Sequence, residues 1–247
     1  MRYGVAFIIL MSFLPLLYAA EKPLLVGDFS AFIEGQALPE HWQELIFDGL
    51  ERHTEYHWLA LKDKGVIQAK SQASSSGLVR KISIDTEQLP NISWRWKIDN
   101  IIHRANLRKK SGDDAPARLY ITFAYDPDKV NWWERLKFKA IKLFYGEYPP
   151  INALTYIWAS HLPEGTILEN PYTDRVKMIV LQSGEKQQGK WLIEQRNIRA
   201  DYRQAFGEAD VPQISGVAIM TDTDNTGASA TAWYGDIVFY NTISPKS

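Results

Sequence analysis

Apolar and polar residues alternate with a period of two along much of the chain beyond residue 50, which is the pattern of half-buried β-strands. Turn-forming sequences such as Asp63-Lys64-Gly65 and Ser183-Gly184-Glu185 separate the alternating segments. Many short strands without helices between them predict an all-β fold, an antiparallel β-sandwich of the jelly-roll type. The clearest predicted strands are 56–61, 66–71, 77–84, 92–98, 118–125, 175–182, 191–198, 215–221 and 232–240.

Residues 131–145 break this alternation and show helical spacing instead. We predict one amphipathic helix, inserted between two strands, packed on the sandwich and stopped by Pro149-Pro150. A lid over a cleft and a basic helix on a membrane surface are the alternatives. The apolar positions are 133, 136, 140, 141 and 144, and lysines occupy 137, 139 and 142.

The first twenty residues have the layout of a secretory signal. Arg2 supplies a positive charge, residues 5–17 are apolar but for two positions, and Tyr18-Ala19-Ala20 precedes a polar stretch. We therefore expect a signal peptide at 1–20, one domain at 21–247 and a periplasmic or secreted location, with an uncleaved anchor as the alternative. No later segment reaches the roughly 18 apolar residues of a spanning helix, so we expect no transmembrane span after cleavage.

Composition restricts the possible chemistry. The chain contains no cysteine, which excludes a thiol nucleophile and a thiolate metal site. Its formal net charge is −1, so nothing indicates nucleic acid as a partner. Aromatic residues make up 13% of the chain, with nine tryptophans, which fits either a sugar-stacking surface or a large aromatic core.

Strand alternation also predicts which charged residues share a face. In one strand, Trp94 and Trp96 point to one side while Arg95 and Lys97 point to the other. If this strand lies beside two further charged strands, their polar faces combine into a cationic patch that could bind a glycan. A solvated face crossed by weak ion pairs is the alternative. The candidate patch consists of Arg95, Lys97, Arg118, Tyr120, Glu194 and Arg196.

Two acidic clusters adjoin predicted strands. Asp113 and Asp114 are adjacent, so their side chains diverge, and we favour loop capping or an ion pair with Arg118 over an acid–base pair. Asp222 and Asp224 open a turn that resembles the start of an EF-hand loop, but a tryptophan stands where that loop needs glutamate. We expect an Asx-rich turn there and no metal or cofactor, with calcium bound at Asp222/Asp224 as the alternative.

The segment 152–158 places Tyr156 and Trp158 on alternate positions of one strand face. Beside a cationic sheet these rings could stack on sugars, although we favour a place in the core. The histidines are scattered: His53 and His57 share a strand face, yet no third ligand is evident, so we expect no metal site there.

Several strings of the sequence together resemble the DUF3047 family of exported bacterial proteins. The most specific are GDDAPARLY at 112–120 and MTDTDNTG at 220–227, with SWRWK at 93–97 and YGDI at 234–237 in support. The resemblance extends over nearly the whole of the predicted mature chain. It implies a single-domain protein of unassigned activity and supplies no catalytic residues.

We expect a binding module whose ligand is a glycan or another anionic envelope polymer. The first alternative is an enzyme. A polysaccharide lyase would use Arg95, Lys97 or Arg118 to neutralise a uronate carboxylate, and Tyr120 or Tyr156 to move the proton. A hydrolase would need two facing carboxylates. The candidates for this pair are Asp113, Asp114, Glu194 and Asp222. An envelope scaffold that binds another protein is the second alternative.

Overall fold

The computed structural model of the protein describes residues 22–62, 64–128, 130–132, 135–136, 138–139, 142 and 149–241. These residues form two β-sheets that pack face to face, so the predicted β-sandwich is confirmed. The strands are β1 (Leu24–Gly27), β2 (Gln43–Leu45), β3 (Glu55–Leu61), β4 (Lys64–Gln72), β5 (Gly77–Ile84), β6 (Asn91–Ile98), β7 (Ala115–Phe123), β8 (Asn152–Ala159), β9 (Ile167–Asn170), β10 (Thr173–Ser183), β11 (Leu192–Asn197), β12 (Ile214–Asp222) and β13 (Ser229–Tyr240).

The two sheets differ in the strands they use. Sheet A has the order β11-β6-β13-β4-β3, and β1 also pairs with β13. Sheet B has the order β2-β5-β12-β7-β8-β10-β9. Within the described residues the paired strands are antiparallel except β8 and β10, which are parallel. The parallel pair arises because the chain forms β9 at the sheet edge and then returns as β10 between β9 and β8.

The core between the sheets is rich in aromatic side chains. Trp94 and Trp96 of β6 are at most 2% exposed and pack against Tyr156 and Trp158 of β8. The ring centroids are 5.1 Å apart for Trp94–Tyr156 and 6.1 Å apart for Trp96–Trp158. Tyr156 and Trp158 are fully buried, so they cannot stack on a sugar, and their candidate role in ligand binding is wrong.

The structure contains one α-helix that the alternation did not predict, Ile198–Phe206. Asn197 caps its N-terminus by accepting a hydrogen bond from the Ala200 amide at 2.8 Å. Gly207 ends the helix in the left-handed region, with φ at 73°. These cap residues were readable in the sequence, but a helix this short has too few turns for a clear apolar period.

The segment predicted as the inserted helix is helical at its described positions 132, 135, 136, 138, 139 and 142. Phe138 is buried and stacks on Tyr125, with ring centroids 4.1 Å apart. Leu136, one of the predicted apolar positions, is 55% exposed and so is not part of that packing. The other predicted apolar positions, 133, 140, 141 and 144, lie outside the described residues.

The sequence also predicted a signal peptide and no later membrane span. No helix within the described ranges combines the length and apolar composition needed to cross a membrane. The predicted signal peptide at 1–20 precedes the described residues, so export stays a prediction.

Candidate functional site

The residues of the predicted cationic patch do not meet in one place. Arg118 and Tyr120 lie on β7 of sheet B, whereas Arg95 and Lys97 lie on β6 of sheet A. The prediction of one shared patch is therefore wrong, because its strands belong to opposite layers of the sandwich. Two distinct charged regions result, one buried and one at the surface.

Arg118 is buried, with only 1% of its surface exposed. It shares the outer face of sheet B with Ile157, its partner in the β7–β8 register. A second apolar cluster covers this face. Its members include Met178 of β10, Leu168 of β9 and Leu107 of the loop between β6 and β7. The alternation thus predicted the correct face of β7, but around Arg118 that face is covered rather than solvated.

Two carboxylates compensate the buried guanidinium. Arg118 donates from Nε to Asp222 Oδ1 at 2.9 Å and from Nη2 to Asp222 Oδ2 at 3.0 Å. Nη2 also donates to Asp113 Oδ1 at 2.9 Å and to the Asp113 carbonyl at 2.7 Å. Asn170 Nδ2 donates to the second carboxylate oxygen of Asp113 at 2.9 Å. The ion pair expected between the acidic loop and Arg118 is therefore present.

Asp114 caps the turn between β12 and β13. Its carboxylate oxygens accept hydrogen bonds from the Asn225 amide at 3.2 Å and the Thr226 amide at 2.7 Å. Asp114, Asp222 and Asp224 each place one carboxylate oxygen within 4.8 Å of the others. These three side chains could hold a cation such as calcium, since it prefers oxygen ligands. The expectation of no cofactor, with calcium at Asp222/Asp224 as its alternative, stays a prediction.

The buried part of this cluster carries more negative than positive charge. Asp113, Asp114 and Asp222 are at most 7% exposed, and Arg118 is the one buried Lys or Arg among the described residues. Burial raises the pKa of Asp222 to about 8, with Arg118 opposing the rise and the carboxylates of Asp113 and Asp114 adding to it. The shift reflects both the burial of Asp222 and the excess of negative charge around it.

The two tyrosines considered for proton transfer are both held in the protonated form. Burial raises the pKa of Tyr120 to about 12, although the nearby Arg118 lowers it. Tyr156 donates to Asp201 Oδ2 at 2.8 Å, and burial followed by the charge of Asp201 raises its pKa well above the usual value. Neither hydroxyl is prepared to remove a proton from a substrate.

Glu194 and Arg196 point away from Arg95, towards the inner side of the sandwich. In the β11–β6 register Ile193 lies opposite Arg95, so the neighbouring Glu194 shares the face of the core tryptophans. Glu194 accepts a hydrogen bond from Trp96 Nε1 at 3.1 Å, and Arg196 pairs with a carboxylate of the α-helix. Their predicted place in a surface patch is wrong, since Ile193 is the outward residue, at 71% exposure.

The outer face of sheet A carries a compact group of rings and cations. Lys97 of β6 lies opposite Trp233 of β13, and its Nζ is 3.9 Å from the centroid of that ring. Lys97 Nζ is also 5.7 Å from the ring of Trp191, which directly precedes β11. The Arg95 guanidinium carbon lies 4.7 Å from the same Trp191 ring. We call these four half-buried residues, Arg95, Lys97, Trp191 and Trp233, the Trp–cation array.

The Arg95 side chain lies directly over Gly235, which has no side chain to obstruct it. A Cβ added to Gly235 would lie 2.2 Å from Arg95 Nε. Arg95 Nη2 is buried without a hydrogen-bond partner in the described residues, and buried donors in proteins are normally satisfied. Within the described ranges, neither Arg95 nor Lys97 has a carboxylate oxygen within 4.0 Å. Burial lowers the pKa of Lys97, and the charge of Asp99 opposes this.

The sequence analysis missed the two tryptophans of the array, although alternation places them correctly. Trp233 is followed by the buried Tyr234, so period two already puts Trp233 on the outer face. What the sequence did not show is that Trp191 and Trp233 flank the same lysine. That contact depends on the order β11-β6-β13, which joins segments distant in the chain.

A cleft of about 840 Å³ at the opposite end of sheet B from Arg118 was also not predicted. Its acidic residues come from distant segments and form no motif. Several of them already have partners. Glu169 pairs with Lys177 at 2.6 Å, Glu208 accepts from the Tyr202 hydroxyl at 2.9 Å, and Asp126 accepts from the Asp128 amide at 2.9 Å. The acidic residues that line this cleft are Asp126, Glu169, Asp174, Glu208 and Asp210.

Several solved structures share features of this fold at low similarity. The family 12 xyloglucanase from Bacillus licheniformis has a TM-score of 0.39 and 9% identity, over 90% of this chain and 99% of that one. The Emp47p carbohydrate recognition domain has a TM-score of 0.42 and 11% identity, over 89% of this chain and 97% of that one. A cellulose-specific carbohydrate-binding module, CBM28, has a TM-score of 0.31 and 10% identity, with coverages of 75% and 77%. Similarity at this level carries no argument about function.

Comparison with curated proteins finds no match. The family model described as "Protein of unknown function (DUF3047)" matches residues 40–238. That range includes the strands of both sheets except β1 and the last two residues of β13, and it contains the Arg118 cluster and the Trp–cation array. The chain therefore belongs to the DUF3047 family.

Proposed function

We propose that this protein is a carbohydrate-binding module whose binding surface is the Trp–cation array on the outer face of sheet A. The single observation that carries the proposal is the arrangement of Trp191, Lys97 and Trp233, in which two indole rings flank one lysine on a solvent-facing sheet. The predicted export belongs to the same proposal, because glycans are abundant outside the cytoplasm.

The chemistry of the array suits a sugar. Indole rings offer apolar area with little conformational entropy to lose, and the C–H face of a sugar ring can pack on them. Arg95 and Lys97 lie over the faces of these rings, so a stacking sugar would displace them. Once displaced, they supply hydrogen-bond donors for the hydroxyl oxygens of that sugar. The cation–π contacts are worth about 0.5–1 kcal/mol each at exposed sites, so a ligand can rearrange them at low cost.

Catalysis has less support than binding at the residues considered. Asp113 and Asp222 bind the same buried guanidinium, so they do not face each other across an open groove as a hydrolase pair would. Glu194 lies in the other sheet and is bonded to Trp96. For a lyase, the pKa of Tyr120 is raised to about 12 rather than lowered.

Affinity gel electrophoresis against a panel of neutral and acidic polysaccharides tests the proposal. We expect the wild-type protein to be retarded by at least one of them, and the Trp191→Ala/Trp233→Ala variant to lose at least about tenfold in affinity, equivalent to about 1.4 kcal/mol. Trp132→Ala is the matched control, because Trp132 is 63% exposed but lies outside the array. Retardation that is equal in both variants and the wild type would remove the proposal.

A scaffold that binds another protein would give a different result in the same preparation. No polysaccharide would retard the chain, and a partner protein would copurify with it. New unsaturated sugar ends during incubation with the panel would instead indicate the lyase.

A further inference from the structure

We infer that the ligand of the Trp–cation array is an acidic polysaccharide with a carboxylate on successive sugars, and that an adjoining basic groove binds its next acidic groups. This inference rests on the proposed carbohydrate-binding function and names its substrate class. The observations that carry it are the position of the groove, the charges on the face and the unsatisfied guanidinium.

The groove opens beside Trp233, on the side of β13 away from Trp191. It has a volume of about 670 Å³. Thr231, in its wall, lies two residues before Trp233 on β13, so the two share a face about 7 Å apart. On β4, Lys70 pairs with Thr231 and Gln68 pairs with Trp233. We call this cavity the basic groove; it is lined by Arg52, His53, Glu55, Lys70, Ser71, Gln72, Ser74, Ser229 and Thr231.

Positive charge predominates on this face although the chain as a whole has a net charge of −1. Arg52 and Lys70 are exposed, and within the described residues neither has a carboxylate oxygen within 4.0 Å. Glu55 lies in the same groove, with its carboxylate 3.5 Å from His57. The face as a whole carries the cations Arg52, Lys70, Arg95 and Lys97 against the carboxylates Glu55 and Asp99.

The donor geometry favours a carboxylate. Arg95 lies across Gly235 with Nη2 buried and without a hydrogen-bond partner in the described residues. A guanidinium presents a planar fork of N–H groups that matches the two oxygens of a carboxylate. A uronic acid that displaces Arg95 from the face of Trp191, or Lys97 from the face of Trp233, would stack on that ring and bring its carboxylate to the displaced cation. The following sugars would place theirs towards Lys70.

Single-stranded nucleic acid is the competing ligand, because bases also stack on aromatic rings while phosphates bind cations. None of the residues that line the basic groove is Phe, Tyr or Trp, so bases beyond Trp233 would have no such ring to stack on. We therefore retain the acidic polysaccharide, and use nucleic acid as an outcome of the test.

Isothermal titration with polygalacturonate and with its fully methyl-esterified form tests the inference, because the two share a backbone and differ in charge. We expect the wild-type protein to bind polygalacturonate about tenfold more tightly than the ester, with an affinity that falls as salt is added. Arg52→Gln/Lys70→Gln should lose about tenfold for polygalacturonate and retain the ester. Trp191→Ala/Trp233→Ala should lose both ligands. Lys109→Gln, an exposed cation outside this face, is the control and should bind as the wild type.

The outcomes separate the inference from the proposed function. Equal affinity for the charged and esterified forms, or full affinity in Arg52→Gln/Lys70→Gln, overturns the acidic ligand while a Trp-dependent glycan site remains. Tighter binding of a single-stranded oligonucleotide than of polygalacturonate also overturns it. Affinity that is unchanged in Trp191→Ala/Trp233→Ala overturns the proposed function itself.

Discussion

Arg118 and Arg95 come from the same kind of sequence, a strand in which charged residues alternate with apolar ones, yet they occupy opposite environments. Arg118 is 1% exposed and bonded to Asp113 and Asp222 beneath an apolar cover. Arg95 lies at the surface against Trp191, and no carboxylate of the described residues lies within 4.0 Å of it. Alternation determines which face of a strand a residue occupies, whereas the chain that covers that face determines whether it meets water.

The two arginines also differ in what they contribute, Arg118 to stability and Arg95, as we propose, to binding. A buried ion pair is costly to break, because removal of one partner leaves the other charge desolvated. A cation stacked on a half-exposed ring contributes about 0.5–1 kcal/mol to folding and stays available to a ligand. We therefore expect substitutions in the Arg118 cluster to change folding, and substitutions in the Trp–cation array to change binding.

The largest expected effect is that of Arg118→Met. It leaves the buried carboxylates of Asp113 and Asp222 without their cation, so the free energy of unfolding should fall by about 3–5 kcal/mol in urea titrations. Adding Asp222→Asn to Arg118→Met should restore part of the loss. A change below about 1 kcal/mol would show that the cluster is not desolvated as described.

The pH dependence of stability should be the next largest effect. The pKa of Asp222 is raised to about 8 in the folded protein and is near 3.9 in an unfolded chain, so the folded state binds the extra proton between these values. The contribution of Asp222 is therefore fully present below about pH 4 and is lost as pH rises to about 8. Urea titrations between pH 5 and pH 9 measure it, and stability that rises over this range would contradict it.

Gly235→Ala tests the array through its support rather than its own side chains. The new Cβ would lie 2.2 Å from Arg95 Nε, so the arginine must leave its position over the sheet. We expect a loss of about 1–3 kcal/mol in stability, as for other overpacked sites, together with weaker polysaccharide binding. Arg95→Ala is the comparison, and Gly235→Ala with unchanged affinity would show that the position of Arg95 does not matter.

The smallest effect on folding should be that of Lys97→Gln. It removes two cation–π contacts at a half-exposed site, so the free energy of unfolding should change by less than about 1 kcal/mol. Binding of polygalacturonate should weaken in the same variant. A larger loss of stability with no change in binding would assign Lys97 a purely structural role.

Much of the fold followed from period-two alternation, because a sandwich buries one face of each strand. The predicted opposition of Trp94 and Trp96 to Arg95 and Lys97 is confirmed. The helix Ile198–Phe206 was missed, since nine residues give few helical repeats and its cap residues adjoin a true strand.

The candidate site was less predictable, for topological reasons. Sequence alone does not reveal that β6 lies between β11 and β13 and that β7 lies in the other sheet. Trp96 lies in the core, whereas Trp191 and Trp233 are half-buried at the surface. Residue type alone does not distinguish these environments. Only the strand order brings Trp191 and Trp233 to the same lysine.

The most direct test of the carbohydrate-binding surface is a titration of the ¹⁵N-labelled tryptophan indole signals with an oligogalacturonate. The chain has nine tryptophans, and single Trp→Phe variants assign their indole resonances. We expect the resonances of Trp191 and Trp233 to shift, while those of the buried Trp94 and the exposed Trp132 stay in place. Shifts confined to Trp132, or a spectrum that the oligosaccharide leaves unchanged, would contradict the account.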